Sequence, residues 1–416
     1  MVASSFPGRS LAALTILLLL TLTSFGQTVN VLHNFGITNG DGDIPYSNVI
    51  IDGKGNLYGT TLGGGANSMG TVYKLSPGAN GRWRETVIHS FMGGASDGAS
   101  PHATLFMDRQ HNLYGTTENG GSTSQSCKST GGCGVIFKLT PSSGGTWTET
   151  ILHSFAGGSD GSIPYSGLVQ DAAGNFYGTT IEGGSKNAGT VYELSPSGST
   201  WTLTVLHNFT GNPDGKTPYG GVIFDSAGNL YGTTYDGGSG SGIVYQLSLQ
   251  SGSWTEKTLH TFGGQPAGDG SETFFGVVLD KNGNVFGTTS GGGTFNYGTV
   301  FELDAANNYA STVLHSFNLD LVDGTFPNAV IFDTAGNLWG STEGAGQNDG
   351  NGTIFKLTPS ASGWTETVPF TFQGANDGTY PNTGLLMDSK GNFYGTTIWG
   401  GKAGDTNGGV TFQFTP

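Results

Sequence analysis

Seven aspartates, each followed by glycine, recur at nearly constant spacing and form the most regular acidic feature of the sequence. They are Asp41, Asp97, Asp160, Asp214, Asp269, Asp323 and Asp377. An Asp-Gly pair is typical of a tight turn in which the carboxylate accepts backbone N–H bonds and the glycine takes a positive φ. The alternative is a calcium site, because carboxylates and backbone carbonyls gathered on one face supply the hard oxygen ligands that this ion prefers. No other cofactor is predicted.

Aromatic and acidic side chains vary beside these turns, whereas the sequence around them is nearly constant. The variable positions that we predict to bind a ligand are Tyr46, Tyr165, Tyr219, Phe274, Glu182, Asp236 and Trp399. Further variable positions of the same kind are His102, Asn328, Asn382, Glu118 and Glu343. Aromatic rings beside carboxylates suit a sugar or a peptide, although such residues also cover the edges of a core.

No motif for a catalytic nucleophile, a zinc protease or a phosphate-binding loop is present in the sequence. Six histidines recur at equivalent positions, but the seventh copy has the apolar pair Pro369-Phe370 there, which favours packing over proton transfer. We therefore predict a non-catalytic binding or scaffold module for carbohydrate or peptide ligands. The alternative is a secreted carbohydrate-active enzyme, because carboxylates from different repeats can meet in space and cleave a glycosidic bond.

A seven-residue signature organises the elements that must position these residues. It reads Gly-Asn-Leu-Tyr-Gly-Thr-Thr from Gly228 to Thr234, and its other copies begin at Gly55, His111, Gly174, Gly283, Gly336 and Gly391. Each repeat contains four short extended segments, A to D, seen at Ser166–Asp171, Asn175–Thr180, Gly189–Leu194 and Trp201–Phe209. Short β-branched or aromatic segments bounded by Gly, Pro, Asp and Ser are strands, and four antiparallel strands per repeat predict a propeller blade.

The two ends of the chain complement each other. Val31–Phe35 resembles segment D but precedes every segment A, whereas the last repeat stops after its segment C at Gly409–Phe414. The predicted fold is therefore all-β: residues 27–416 form one seven-bladed β-propeller of four-stranded antiparallel blades. The N-terminal strand, Val29–Phe35, pairs into the last blade, which leaves no open edge between the first and last repeats.

The repeated sequences also resemble a known family. The resemblance is carried by Gly-Asn-Leu-Tyr-Gly-Thr-Thr, by the Gly-Gly that follows it and by Gly-Thr-Val-Tyr-x-Leu-Ser-Pro. These sequences are similar to the GloVer-type tandem repeats of exported bacterial proteins, from about Val29 onward. The resemblance implies β-propeller-like repeats and no established reaction.

Residues 1–26 have the layout of a cleaved signal peptide. Arg9 precedes an apolar run from Leu11 to Leu22, and the small residue Gly26 stands before the predicted cleavage point. The apolar run is too short to span a bilayer, and no second hydrophobic stretch follows. The mature protein is therefore predicted to have no membrane span and to be exported, with an extracellular, cell-surface or periplasmic location.

The sequence contains two cysteines. Cys127 and Cys133, six positions apart, are predicted to form a disulfide, which closes a small loop and contributes about 2 kcal/mol.

The chain has 15 Lys and Arg against 30 Asp and Glu, with no basic cluster, so nucleic acid is not a predicted partner. The acidity serves solubility or recruits cations and basic ligands. The predicted partner is an extracellular glycan, peptide or protein, and the protein is predicted to be a monomer.

Overall fold

The structure is a computed structural model that describes residues 27–416, apart from 39, 123, 125–126, 128–130, 265–267, 320–322, 345–349, 375 and 403–407. The signal peptide predicted for residues 1–26 lies outside the described residues. Among the residues that are described, no helix is long and apolar enough to cross a membrane.

Seven four-stranded antiparallel sheets follow one another along the chain and form a ring, which confirms the predicted seven-bladed β-propeller. Strands are labelled by blade and letter, so that strand 2B is strand B of blade 2. In the order A to D, the strands of blade 1 are Ile50–Ile51, Leu57–Thr61, Thr71–Pro77 and Trp83–Ser90. Those of blade 2 are Phe106–Met107, Leu113–Thr117, Val135–Pro141 and Trp147–Ser154. Those of blade 3 are Val169–Gln170, Phe176–Thr180, Thr190–Ser197 and Thr200–Asn208.

Blades 4 to 7 repeat this order with small changes in strand length. Blades 4 and 5 comprise Ile223–Phe224, Leu230–Thr234, Ile243–Gln250 and Ser253–Thr261; and Val278–Leu279, Val285–Thr289, Thr299–Asp304 and Ala310–Ser316. Blades 6 and 7 comprise Ile331–Phe332, Leu338–Gly344, Thr353–Ser360 and Gly363–Thr371; and Leu386–Met387, Phe393–Thr397, Val410–Thr415 and Thr28–Asn34. Blade 6 gains a fifth short strand, Thr325–Pro327, which pairs with strand 6B.

The N-terminal strand closes the ring as predicted. Thr28–Asn34 pairs antiparallel with Val410–Thr415, and Val31 lies opposite Phe412. Blade 7 is therefore built from both ends of the described chain, and its strand 7C has a partner on each side. This arrangement removes the unpaired edge that an open array would expose.

The hydrophobic core lies between neighbouring blades. In one cluster Tyr58 and Val72 of blade 1 pack with Leu113 and Phe137 of blade 2, and all four are buried. Equivalent clusters join the other neighbouring blades around the ring. No single blade buries its own apolar face, so each depends on the next for its stability.

The apolar and glycine positions of the repeated signature have a packing role in strand B. In blade 1, Leu57 is fully buried, and the aromatic ring of Tyr73 from strand 1C covers Gly59. A Cβ atom on Gly59 would lie 2.5 Å from the Tyr73 hydroxyl oxygen, which is closer than any side chain tolerates. The glycine is therefore required by this close approach and not by its backbone conformation.

The polar positions of the signature tie strand B to its surroundings. The Tyr58 hydroxyl and the Asn56 side-chain amide both donate to the Asp52 carboxylate in the A-to-B hairpin, at 3.1 and 2.7 Å. The first threonine, Thr60, donates to the carbonyl of Pro101 in the next blade at 3.2 Å. The second, Thr61, hydrogen-bonds to Thr71 at the start of strand 1C at 2.8 Å. The signature thus fixes one hairpin, one blade contact and one loop.

Candidate functional site

The D-to-A and B-to-C links of each blade pair with each other on one face of the ring. In blade 1, Gly42 and Asp43 lie opposite Gly64 and Gly63. Blades 2 and 4 contain the same two-residue pairing, and single bridges replace it in blades 3, 5 and 7. This face therefore carries two short chain segments per blade, held side by side by backbone hydrogen bonds.

In every blade, one residue of the D-to-A link has a left-handed backbone. It directly precedes a proline, or Thr273 in blade 5. These residues are Ile44, Ser100, Ile163, Thr217, Glu272, Phe326 and Tyr380, with φ values between 55° and 63°. Non-glycine residues rarely adopt this conformation, and β-branched ones least of all. Each backbone N–H donates to a carbonyl of the preceding blade, as Ile163 does to Cys133 at 2.9 Å. The strained residue is thus held by the neighbouring blade.

The aspartates of the Asp-Gly pairs accept the backbone hydrogen bonds that the sequence predicts. Asp41 accepts from the Gly42 N–H at 2.8 Å, and Asp97 accepts from the Gly98 N–H at 2.6 Å. The glycine, however, has a positive φ only in the third, fifth and seventh pairs. Elsewhere it is required by space, because a Cβ atom on Gly42 would lie 2.4 Å from the Thr61 side chain.

Each of six aspartates is also paired with a histidine of strand D. The distances from histidine Nε2 to the nearest carboxylate oxygen run from 3.0 Å for His315 and Asp323 to 3.7 Å for His89 and Asp97. A β-bulge next to the histidine turns its side chain toward the aspartate, as at His89, where the register shifts. In strand 6D Phe370 replaces the histidine, and Asp377, which follows this strand, accepts a hydrogen bond from the Gln373 N–H at 3.0 Å.

The seven aspartates are therefore held separately, one per blade, and the residues that line the channel do not include them in the described structure. The groups best suited to a cation combine three residues from two blades: His33, Asp41 and Glu85; His89, Asp97 and Glu149; and His315, Asp323 and Glu366. Within each group the possible ligand atoms lie within 4.8 Å of one another. Burial raises the pKa of Glu85 and Glu149 to about 7. The calcium site stays a prediction.

The predicted aromatic positions meet at the central channel of the ring. Tyr46, His102, Tyr165, Tyr219 and Phe274 come from blades 1 to 5 and line a channel cavity of about 190 Å³. Successive rings touch, with centroid distances of 4.6, 4.2, 5.0 and 5.1 Å along this order. Together they form one continuous arc, which we call the aromatic arc.

Blade 6 interrupts this ring of side chains. Between its proline and the apolar residue before strand A, blade 6 has one residue fewer than the other blades, as Pro327–Val330 and Pro45–Val49 show. Asn328 consequently does not stand in the aromatic arc: it is fully buried and donates to the Ser341 hydroxyl at 2.9 Å. Among the described residues, blade 6 therefore contributes no side chain to the aromatic arc, and we call this interruption of the arc the blade 6 gap.

A second cavity of about 340 Å³, the mouth cavity, opens beside the blade 6 gap. Tyr46, Tyr165 and Phe274 of the aromatic arc line it, and Glu343 and Asn382 border it from blades 6 and 7. The amide of Asn382 donates to the Glu343 carboxylate. The comparison of repeats named five of the ten described residues that line this cavity, and their part in ligand binding stays a prediction. Asn328, which the same comparison placed on the rim, is buried instead.

Five residues of the mouth cavity were not predicted from the sequence: Tyr235, Glu272, Phe275, Ser290 and Phe326. Glu272 and Phe326 are left-handed residues two positions before the arc, and Phe326 is 42% exposed. Tyr235 directly follows the threonine pair of strand 4B, and its ring lies 4.7 Å from that of Phe274. Tyr235 belongs to the variable column that already contains Glu118 and Glu343, whereas Glu272 and Phe326 belong to a further variable column. Reading both columns in every repeat is the signal that would have found these three residues.

The predicted residues Glu182, Asp236 and Trp399 lie one position farther along the B-to-C link and do not line the mouth cavity. Because successive side chains of an extended segment point to opposite sides, they face away from the residues that precede them. Asp236 lies opposite Lys216 in the paired links, and Trp399 is 44% exposed on the outer surface. Their part in ligand binding stays a prediction.

Burial sets the electrostatics of the site. It raises the pKa of the Glu343 carboxyl to about 7, so that at neutral pH this group is only partly ionised. Burial likewise raises the pKa of the Tyr46 and Tyr165 hydroxyls, which keeps both neutral and able to donate. Within the arc, next to Tyr46, His102 Nε2 lies 3.1 Å from the Glu118 carboxylate.

Comparison with known proteins agrees with the repeat pattern. Residues 18–126 and 122–350 match the Gloeobacter/Verrucomicrobia repeat. The chain belongs to this repeat family. The match ends before strand 6C, yet residues 353–415 complete blades 6 and 7 with the same strand order. No curated protein sequence matches the chain.

Solved structures similar to this repeat-family protein share its fold. A candidate 6-phosphogluconolactonase from Bacteroides uniformis ATCC 8492 has 13% identity and a TM-score of 0.50, covering 82% of this chain and 88% of its own. A chain of the mitotic checkpoint complex has 11% identity and a TM-score of 0.53, covering 100% and 99%. At these identities the similarity establishes the propeller fold alone.

The disulfide of this repeat-family protein lies deeper than the sequence suggests. Cys127 and Cys133 are bonded, with their Cα atoms 5.0 Å apart. Both side chains are almost completely buried and pack with Tyr114 and Ile136 of blade 2 and Leu168 at the start of blade 3. The sulfur atoms therefore fill part of an interblade core as well as closing a loop.

Proposed function

We propose that this protein is a non-catalytic recognition module that binds a carbohydrate or peptide ligand at the mouth of its channel. One observation carries the proposal: aromatic side chains from several blades converge on a single cavity of about 340 Å³. Ligand sites are typically concave, rich in aromatic residues and supplied with a few polar groups that orient the ligand. The mouth cavity has this composition.

The physical basis of binding is the partial exposure of these rings. Phe274 is 37% exposed and Phe326 is 42% exposed, whereas Tyr46, Tyr165 and Tyr219, which are equivalent to Phe274, are only partly exposed. A ligand that covers their faces removes apolar surface from water, at about 25 cal/mol for each Å². The rings have few rotatable bonds and already pack against each other, so binding orders little that is mobile.

Export to an oxidising compartment is part of the same proposal. It is supported by the charged and apolar pattern of residues 1–26, by the resemblance to repeats of exported bacterial proteins and by the buried disulfide. N-terminal sequencing of the protein recovered outside the cytoplasm tests it. A mature terminus at Gln27 is the expected result, and an intact Met1 in that fraction would contradict it.

The experiment that tests binding uses purified residues 27–416 on glycan and peptide arrays, with and without calcium, followed by calorimetry of each hit. The variant Phe274→Ala removes one exposed wall of the cavity and is expected to weaken binding about ten-fold or more. Phe295→Ala is the matched control, because Phe295 is 53% exposed but does not line the cavity. Equal loss in both variants, or none in either, would move the site elsewhere.

One observation favours the enzymatic alternative, in which a rim carboxylate cleaves a glycoside. Burial raises the pKa of Glu343 to about 7, which suits a general acid at neutral pH. Hydrolysis of an array hit, abolished by Glu343→Gln while binding persists, would establish this alternative. Bound ligand recovered intact after prolonged incubation would exclude it for that ligand.

A further inference from the structure

The charged residues that line the mouth cavity are acidic. Glu272 and Glu343 line it, and neither lysine nor arginine is among its described lining residues. The carboxylates of Glu118, Glu182 and Asp236 also act on the nearby Tyr219 hydroxyl, so that they lie within electrostatic reach of the channel. The carboxylates around the mouth cavity therefore favour positive groups over anions there, although Lys216 lies opposite Asp236.

We propose that the mouth cavity selects ligands that present a positively charged ammonium group, as an amino sugar or a lysine side chain does. This inference rests on the proposed function, since it names the chemical class of ligand for the same cavity. It goes further in requiring charge: a neutral ligand of the same shape binds more weakly.

The aromatic rings supply one half of the recognition. Tyr235 and Phe274 are inclined at 56° with centroids 4.7 Å apart, and Tyr219 packs against both rings, at 5.6 and 5.1 Å. Inclined rings form a concave wall, and the negative face of each ring attracts a cation within about 6 Å. Because ammonium groups are costly to strip of water, such a wall holds them best when carboxylates stand nearby.

The carboxylates supply the other half. Glu343 of strand 6B lines the mouth cavity beside the blade 6 gap, where a ligand group in the cavity can reach it. Its hydrogen bond from Asn382 orients the carboxylate and leaves acceptor sites that a cation can use. Glu272 is exposed and is held in a left-handed backbone by the bond from its N–H to Ser241, which projects it from the channel rim.

Paired probes of equal shape test the requirement for charge. Choline carries a permanent quaternary ammonium, and 3,3-dimethylbutan-1-ol is its neutral carbon analogue. Calorimetry or NMR titration of residues 27–416 is expected to give choline at least about ten-fold higher affinity. The variant Glu343→Gln is expected to remove most of that preference, so that the affinities for choline and for the alcohol become nearly equal. Glu193→Gln, which removes the same charge from strand 3C, is the control and is expected to change neither.

Two further pairs distinguish the sources of the ammonium group. Glucosamine is compared with glucose, and Nα-acetyl-lysine amide with Nα-acetyl-norleucine amide, at low and at physiological salt. A preference confined to the first pair identifies an amino sugar, and one confined to the second identifies a basic peptide. Equal binding within every pair would overturn the inference and leave the proposed function intact. Absence of binding by all probes, together with no hit on the arrays, would overturn both.

Discussion

The hydroxyl of Thr396 donates a hydrogen bond of 3.1 Å to the carbonyl oxygen of Ser47, although the two residues are 349 positions apart in the chain. Thr396 lies in strand 7B, and Ser47 lies just before strand 1A. The bond therefore joins the last blade to the first at the channel wall, in the way that Thr116 joins blade 2 to blade 3 through Ser166. The closing contact of the ring repeats the contact between its successive blades.

Removal of residues 27–36 is expected to lower the melting temperature and to promote association. The deletion leaves Val410–Thr415 as an unpaired edge strand, and it uncovers apolar surface of blade 7 where Val29 and Val31 pack. Thermal melts and light scattering of the truncated and full mature chains measure both effects. Unchanged stability and a monodisperse truncated protein would contradict closure by the N-terminal strand.

Three equivalent threonines give a graded test of the blade contacts. Thr396→Val and Thr116→Val each leave a buried carbonyl without its donor, so each is expected to cost about 1 kcal/mol of unfolding free energy. Thr288 occupies the same position in blade 5, but its buried hydroxyl has no partner among the described residues. Thr288→Val is therefore expected to be neutral or stabilising. Denaturant unfolding measures all three, and a cost for Thr288→Val equal to the others would refute the assignment.

Blade 5 also lacks a hydrogen bond that most other blades have. In blades 1 to 4 and 7 a tyrosine hydroxyl donates to the hairpin aspartate, as Tyr58 does to Asp52, whereas blade 5 has Phe286 there. A cavity of about 610 Å³ adjoins Phe286 and Asp280, so an added hydroxyl has room. Phe286→Tyr is expected to stabilise the protein by about 0.5–1 kcal/mol, and Tyr58→Phe to destabilise it by a similar amount. Opposite shifts in melting temperature are the expected result.

The disulfide separates into two contributions that can be measured independently. Reduction opens the cross-link but keeps both sulfur atoms in the core, and this change is expected to cost about 2 kcal/mol. Replacing Cys127 and Cys133 together by alanine also removes buried volume beside Tyr114 and Ile136, so it is expected to cost more than reduction alone. Melts of the oxidised, reduced and double-variant proteins compare the two. Equal losses would mean that the bridge acts only through loop closure.

Glu343 makes stability depend on pH in a defined direction. Its pKa is about 7 in the folded protein and near 4.5 for an ordinary glutamate, so the folded state holds this proton more tightly. The cost of burying the charged form appears as the pH rises through this range and is fully present above pH 7. Glu343→Gln is expected to match the parent near pH 4 and to exceed its stability at pH 8 by at most about 3 kcal/mol. A constant difference across pH would exclude this ionisation as the cause.

The fold could be predicted from the sequence because the repeat is strict wherever packing decides the residue. The position of Gly59 is glycine in all seven blades because an aromatic ring of strand C covers it, and the positions of Leu57 and Tyr73 are apolar or aromatic and buried in every blade. Counting segments at the two ends then sufficed to place the N-terminal strand in blade 7. Periodicity therefore contains the architecture, because each blade solves the same packing problem.

The site could be predicted only in part, since side-chain direction in the links depends on single residues. Asn328 seemed equivalent to Tyr46, but the loss of one residue after Pro327 turned it into the wall, where it bonds Ser341. In the B-to-C links, adjacent positions face opposite sides, so that Tyr235 enters the cavity and Asp236 does not. The sequence alone shows neither the effect of the shorter blade 6 link nor this alternation, because both depend on how the two links of a blade pair in the structure.

The missing residue of blade 6 has a consequence for how the entrance is used. A ring of seven identical units would offer any asymmetric guest seven equivalent poses, a statistical advantage of RT ln 7, about 1.1 kcal/mol. The blade 6 gap breaks this sevenfold equivalence, so the seven orientations of a guest no longer have equal free energy. Because the shorter link of a single blade creates this difference, a substitution in the blade 6 link can change ligand recognition while the other six blades keep the ring closed.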